Sequence, residues 1–108
     1  MKVRVGCDIV NVNRFNSLDE KTLNKIFHPR ELKSRKPETL AGIFAVKESC
    51  KKVFNDLNWH DIEIIKKRNG KPIISLNINQ EIINHDVSIS HDGDYAMATV
   101  VFLMEKGV

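Results

Sequence analysis

Asp8, Glu48, Lys52 and His91 are the side chains of this sequence whose types and placement lend themselves to chemistry. Asp8 sits between the apolar residues Cys7 and Ile9, Glu48 and Lys52 stand four apart in a helical pattern, and His91 ends a strand just before a turn. One carboxylate on a strand, one on a helix and a nearby imidazole suit a divalent cation, and two oxygen ligands with open positions suit Mg²⁺ bound to a substrate phosphate. Each residue also has an ordinary reading. Asp8 can be a solvent-facing strand residue, Glu48 and Lys52 a surface ion pair, and His91 a cap. A fifth residue breaks its surroundings: with about 100° per residue and Ile43 at zero, Val46, Cys50, Val53, Phe54 and Leu57 share one arc, and Lys47 falls at about 40°, between Phe54 and Leu40. An ammonium there either snorkels or meets a partner anion. Ala41, Ala45, Glu48 and Lys52 cluster at about 140° to 200°, where two small residues leave room for a close approach.

The elements that must position these groups follow from the apolar period. Val3, Val5, Cys7 and Ile9 alternate with Lys2, Arg4, Gly6 and Asp8, so residues 2–10 read as a strand with one buried face. Ser17 and Glu20 form a capping-box pattern that opens a short helix through Phe27. Pro29 and Pro37 each fit the first turn of a further helix, the second running to Phe54 or Leu57. Ile62 and Ile64 begin a strand, Asn69-Gly70 suits a hairpin turn, and Ile73, Ile74 and Leu76 return. Val87 and Ile89 alternate with serines, Asp92-Gly93-Asp94 turns the chain, and Tyr95 to Leu103 forms a last strand. The pattern predicts an α+β fold, an antiparallel sheet packed against one long helix and shorter helices.

The 108 residues correspond to one domain, 1–108, with no repeat, linker or low-complexity segment. A hydrophobic fraction of 42% with 29% charged residues is that of a folded chain with a real core. No apolar run approaches the roughly 18 residues of a membrane span, and the first residues lack signal-peptide features, so a cytoplasmic protein without membrane association is expected. Cys7 and Cys50 are too few for a disulfide framework and are read as reduced. So small a domain makes oligomerisation a plausible source of stability. The net charge of +3 hides an asymmetry, because residues 21–52 hold nine Lys or Arg against three Glu, a local +6. Such a block attracts anions, or is simply a solvated face. A nucleic-acid module is disfavoured: aromatics are 6% of the chain, with no basic-aromatic stacking platform and no zinc signature.

Taken in order, GCDIVNVNRF, KIFHPREL, ETLAGIFAVKESCKK, HDIEI with NGKP, and SISHDGDYAMATVV resemble the bacterial holo-acyl-carrier-protein synthases, the small type of 4′-phosphopantetheinyl transferase. The resemblance spans about Val3 to Val101 and implies the fold of that family. It implies that the 4′-phosphopantetheine of coenzyme A moves to a serine of apo acyl carrier protein in fatty acid biosynthesis, releasing adenosine 3′,5′-bisphosphate. By the same resemblance Asp8 and Glu48 match Mg²⁺ ligands, and Glu48, Lys52 and His91 the catalytic positions. Lys47, Lys52, Gly70, Lys71, Pro72, Ser90 and His91 match coenzyme A contacts. Arg14 matches a carrier-docking position, and Lys21 and Lys25 join it as docking residues for an acidic carrier protein. The family implies a homotrimer with active sites between subunits. A metal on the pyrophosphate and a lysine beside it would stabilise charge on the leaving phosphate, and Glu48, or a water it holds, is the candidate base. A carrier of a polyketide or peptide synthase is the alternative acceptor.

Three features depart from the family pattern. Ile43 stands where arginine is usual, Asn11 where an acid is common, and the segment between Lys52 and Asp61 is short.

Overall fold

The computed structural model describes residues 1–106. In chain order the elements are β1 (Lys2–Asn11), α1 (Glu20–Ile26), α2 (Pro37–Val53), β2 (Ile62–Lys66), β3 (Pro72–Leu76), β4 (Ile82–Asp92) and β5 (Tyr95–Met104), with short 3₁₀ turns at Val12–Phe15, Pro29–Lys33 and Trp59–Asp61. The α+β class follows as the periodicity predicts. The strands do not form one sheet, however: β1, β5 and β4 make a three-stranded antiparallel sheet in that order, and β2 and β3 a separate antiparallel hairpin. The hairpin is held to the main sheet by the Ile74 N–H, which donates to His85 Nε2 at 3.1 Å.

The long helix α2 lies across β1 and β5, and everything on it from Leu40 to Lys47 is buried. Its seat on the sheet depends on Gly6. A Cβ there would lie 2.1 Å from the Ser49 carbonyl oxygen, so any side chain would push strand and helix apart. Ser49 closes the contact from the other side, its hydroxyl donating to the Ala45 carbonyl at 2.7 Å and reaching that of Ala98 at 3.3 Å. Across the sheet Asp8 is level with Ala98, and Ala98 with Ile89.

Several local expectations are revised. Strand β1 alternates as expected, but the buried residues are Gly6 and Val10, while Val3, Val5, Cys7 and Ile9 face outward. The helix-facing side belongs to the small or polar residues because only there can α2 approach closely. Asp19, not Ser17, caps α1, its carboxylate accepting from the Thr22 N–H at 2.8 Å, and hydrogen bonding from the Thr22 side chain and backbone holds its pKa below the ordinary value. Pro29 opens a 3₁₀ turn and not a helix proper. Ala41 and Ala45 are fully buried, so the chain itself fills the space expected to admit a visitor.

Candidate functional site

Asp8 lies on the helix-facing side of β1, two residues beyond the Gly6–Ser49 contact, and Glu48 immediately precedes Ser49 on α2. Lys52, one turn after Glu48, ties the two elements together. Its ammonium donates to Asp8 Oδ1 at 3.1 Å and to the Cys7 carbonyl at 2.9 Å, with the Asp8 side chain 17% exposed. Residues four apart on a helix have neighbouring side chains. Asp8, Glu48 and Lys52 therefore share one corner, where β1 runs beside α2. Glu48 is half-buried and makes no ion pair among the described residues.

That donor set fits a small hard cation. Two carboxylates supply oxygen ligands, and among the described residues no group of three or more His, Cys, Asp and Glu side chains is placed to hold an ion. An ion at Asp8 and Glu48 would keep positions open for water or phosphate, which is how Mg²⁺ is usually bound.

His91 is elsewhere. It stands with β4 at the other edge of the sheet, beside a cleft of about 780 Å³ lined by Gly42, Ile43, Ile64, Lys66, Gly70 and Pro72, with Arg30 and Lys33 among the further residues. Gly42 is what lets the imidazole lie against α2: a Cβ would meet His91 Nε2 at 3.3 Å and Ile89 Cγ2 at 3.2 Å. His91 Nε2 is 2.8 Å from the Glu38 carbonyl, an acceptor only, so Nε2 carries the proton and, in the neutral ring, Nδ1 is left to accept. Gly70, at φ +83°, and Pro72 sit at the mouth of the cleft; Lys71 between them pairs with Asp86 at 3.3 Å. Ser90 points away from the cleft to the exposed outer face of the sheet.

The expected contact between Lys47 and coenzyme A is corrected. The Lys47 side chain has no exposure and spends its donors internally, on Glu31 Oε1 at 2.9 Å and on the carbonyls of Ile26, Trp59 and Ile62 at 3.0, 3.2 and 2.7 Å. Burial pulls its pKa below the lysine value, and Glu31 opposes that shift. Glu31, which no spacing pointed to, accepts in turn from the His28 and Ile64 N–H groups at 2.7 and 2.8 Å. The anion foreseen for Lys47 is thus a carboxylate of this chain. Of the cations of the cleft, Arg30 and Lys33 belong to the basic block of residues 21–52, whereas Lys66 lies outside it. Arg30 and Lys33 come from the Pro29–Lys33 turn and Lys66 from β2, so the three become neighbours only in the fold.

Of the expected docking residues, Lys21 and Lys25 are exposed one turn apart on α1, and Arg14 is exposed in the Val12–Phe15 turn, its guanidinium 5.1 Å from the Phe44 ring centre. The structure therefore separates the candidate residues into two halves. Asp8, Glu48 and Lys52 lie where the edge strand β1 runs beside α2, and His91, Gly70 and Pro72 line the cleft on the side of the opposite edge strand, β4.

Residues 4–100 match the family model of the 4′-phosphopantetheinyl transferase superfamily. The holo-[acyl-carrier-protein] synthase of Finegoldia magna is 33% identical, with 97% of this chain and 99% of that protein covered. The Helicobacter pylori holo-[acyl-carrier-protein] synthase, solved in complex with coenzyme A, superposes with a TM-score of 0.81 at 32% identity over 93% of this chain and 100% of that one. The Bacillus anthracis enzyme, in complex with CoA (3′,5′-ADP), superposes with a TM-score of 0.75 at 30% identity over 91% and 93%. With most of its length matched by the family model and by relatives above 30% identity, the chain belongs to the 4′-phosphopantetheinyl transferase superfamily and, within it, to the holo-[acyl-carrier-protein] synthases.

Proposed function

We propose that this protein transfers the 4′-phosphopantetheine of coenzyme A to a serine hydroxyl of apo acyl carrier protein in fatty acid biosynthesis, working in the cytoplasm with Mg²⁺ as a homotrimer. The observation that carries the reading is the corner in which Lys52 bridges to Asp8 beside Glu48, on a chain that also carries a cation-lined cleft large enough for a nucleotide.

Asp8 and Glu48 would hold the ion. When bound, Mg²⁺ neutralises charge on the pyrophosphate of coenzyme A. Lys52, already poised at Asp8, donates to the phosphate that departs and stabilises its growing charge. The serine oxygen forms a bond to the β-phosphorus, and the bond from that phosphorus to the bridging oxygen breaks. The electron pair leaves with adenosine 3′,5′-bisphosphate. The serine proton passes to the Glu48 carboxylate and from there to solvent. His91 donates through Nε2 to Glu38 and offers Nδ1 at the nucleotide end. Gly70, Lys71 and Pro72 form the turn against which coenzyme A rests.

The trimer is supported by the outer face of the main sheet. Val3, Val5, Ile9, Tyr95, Met97 and Val101 are 58%, 60%, 63%, 52%, 40% and 37% exposed, and they are contiguous because Val5 pairs with Val101 and Ile9 with Met97. Soluble monomers rarely show such a continuous apolar surface. Active sites between subunits, which the family resemblance implies, would join the Asp8 corner of one chain to the cleft of the next. No helix is long and apolar enough to cross a membrane.

The deciding experiment is the mass of apo acyl carrier protein after incubation with this protein, coenzyme A and Mg²⁺, with an EDTA control. One added phosphopantetheine, seen only with metal, is expected. No addition with carriers from fatty acid, polyketide and peptide synthesis would refute the transferase reading.

A further inference from the structure

The β2–β3 hairpin is a two-stranded ribbon with two open edges, and a ribbon of that kind is marginally stable by itself. Midway along it Ile64 faces Ile74, and both residues turn their N–H groups outward, away from each other. Each is met by a side chain. The Ile64 N–H donates to Glu31 Oε2 at 2.8 Å and the Ile74 N–H to His85 Nε2 at 3.1 Å. The hairpin is therefore pinned at one level from both sides, by the Pro29–Lys33 turn on the β2 edge and by β4 on the β3 edge.

Both pins are themselves held. Glu31 has no side-chain exposure and is fixed by Lys47 at 2.9 Å and by the His28 N–H at 2.7 Å. The His85 ring lies against Phe102, with the ring centres 6.1 Å apart. Other links between hairpin and body are weaker or less directional. Packing of Ile62, Ile64 and Ile74 holds the ribbon to the core without fixing where it slides, and the Lys71–Asp86 and Arg30–Glu63 ion pairs are partly open to solvent.

What the two bonds fix is one wall of the cleft. Ile64, Lys66, Gly70 and Pro72 line it from the hairpin and its turn, while Gly42 and His91 line it from α2 and β4. A shift of the hairpin alters this space and leaves Asp8, Glu48 and Lys52 in place, since those residues stand on β1 and α2.

We propose that Glu31 and His85 are positioning residues for the nucleotide cleft: by accepting from Ile64 and Ile74 they hold the hairpin at the distance from α2 and β4 that coenzyme A requires. The ligand's identity rests on the transferase reading. Neither side chain touches the ligand, because that of Glu31 is wholly buried and His85 borders a separate groove with Ile74 and Phe102.

Calorimetric titration with coenzyme A, without carrier, reads the cleft directly. In Glu31→Gln the amide oxygen can still accept from Lys47 and His28, but its NH2 faces the Ile64 N–H, so the bond to β2 is lost. His85→Leu removes the bond to β3, whereas His85→Gln keeps an acceptor there. The Kd for coenzyme A is expected to rise roughly tenfold in Glu31→Gln and in His85→Leu, and to stay within about twofold of the parent in His85→Gln. In the transfer assay the two weakened variants raise the KM for coenzyme A and leave kcat and the carrier KM within about twofold of the parent. Unchanged affinity in either variant once folded, a loss confined to kcat, or His85→Gln as weak as His85→Leu would overturn the proposal. If Glu31→Gln does not fold, the half-buried His85 decides alone through its two variants. A parent that binds coenzyme A without transferring it counts against the reaction and leaves this test standing; a parent that binds none overturns both.

Discussion

Lys47 and Glu31 form an ion pair 2.9 Å long in which neither side chain has any exposure. Between them they bind backbone groups of Ile26, His28, Trp59, Ile62 and Ile64, so one pair joins α2 to the Pro29–Lys33 turn, the Trp59–Asp61 turn and β2. Removing one partner strands the other charge. Lys47→Met is expected to lower unfolding free energy by about 3–5 kcal/mol in urea, and Lys47→Met with Glu31→Gln to recover part of it. A double variant no more stable than the single would show that the pair is not the coupled unit.

Glu48→Gln keeps the side-chain size and weakens an oxygen ligand. Transfer should fall below detection while the thermal midpoint stays within a few degrees of the parent. A variant retaining full activity would remove Glu48 from the metal and base roles together.

Gly42→Ala sets two effects against each other. Alanine is the better helix former by about 1 kcal/mol, but its methyl would sit 3.3 Å from His91 Nε2 and 3.2 Å from Ile89 Cγ2. The thermal midpoint is therefore expected to hold or rise while the KM for coenzyme A increases several-fold. An unaltered KM would place the nucleotide away from His91.

His85 gives a pH dependence whose sign is fixed by its bond. Its Nε2 accepts from the Ile74 N–H and so must be unprotonated in the fold, and burial, with the nearby Lys67 and Lys71 charges, holds its pKa below 6.5. Below pH 6.5 the unfolded chain takes up a proton that the fold resists. Stability is thus fully present above that value and declines as pH falls toward the folded pKa. His85→Gln, which can still accept from Ile74, should flatten the decline below pH 6.5 in thermal melts. An equal slope in both proteins would assign the decline to other groups.

If the site is shared between copies, two inactive variants should complement each other. Glu48→Gln disables the Asp8 corner and His91→Ala the cleft, so trimers re-formed from a mixture contain some junctions with both halves intact. Regained transfer is expected only after the subunits have exchanged; none at any mixing ratio would mean that each chain completes its own site.

Periodicity located the secondary structure well because strands and helices are local. The hairpin around Gly70 and the long helix after Pro37 both lie where their patterns place them. What failed was the direction of a face. The alternation of Val3, Val5, Cys7 and Ile9 is real, but an apolar face can meet another chain as well as the core, and one sequence does not distinguish these destinations. Lys47 was legible as an anomaly on its helix, whereas Glu31, sixteen positions earlier, could be matched to it only through the tertiary fold. The pairing of Asp8 with Lys52 has the same character, since it depends on Gly6 letting strand and helix touch.

The two thiols of the chain have been assigned opposite fates by the layers they occupy. Cys50, on the buried side of α2, has its pKa pushed up to about 12 by burial, so it is almost wholly thiol at neutral pH and inert toward electrophiles. Cys7 lies in the middle of the apolar outer face, exposed in the single chain. Of the two thiols an oxidant therefore has one within reach, and a sulfinic or sulfonic acid formed there plants a charge in the apolar face. If copies assemble through this face, such damage would leave each chain folded yet block their contact.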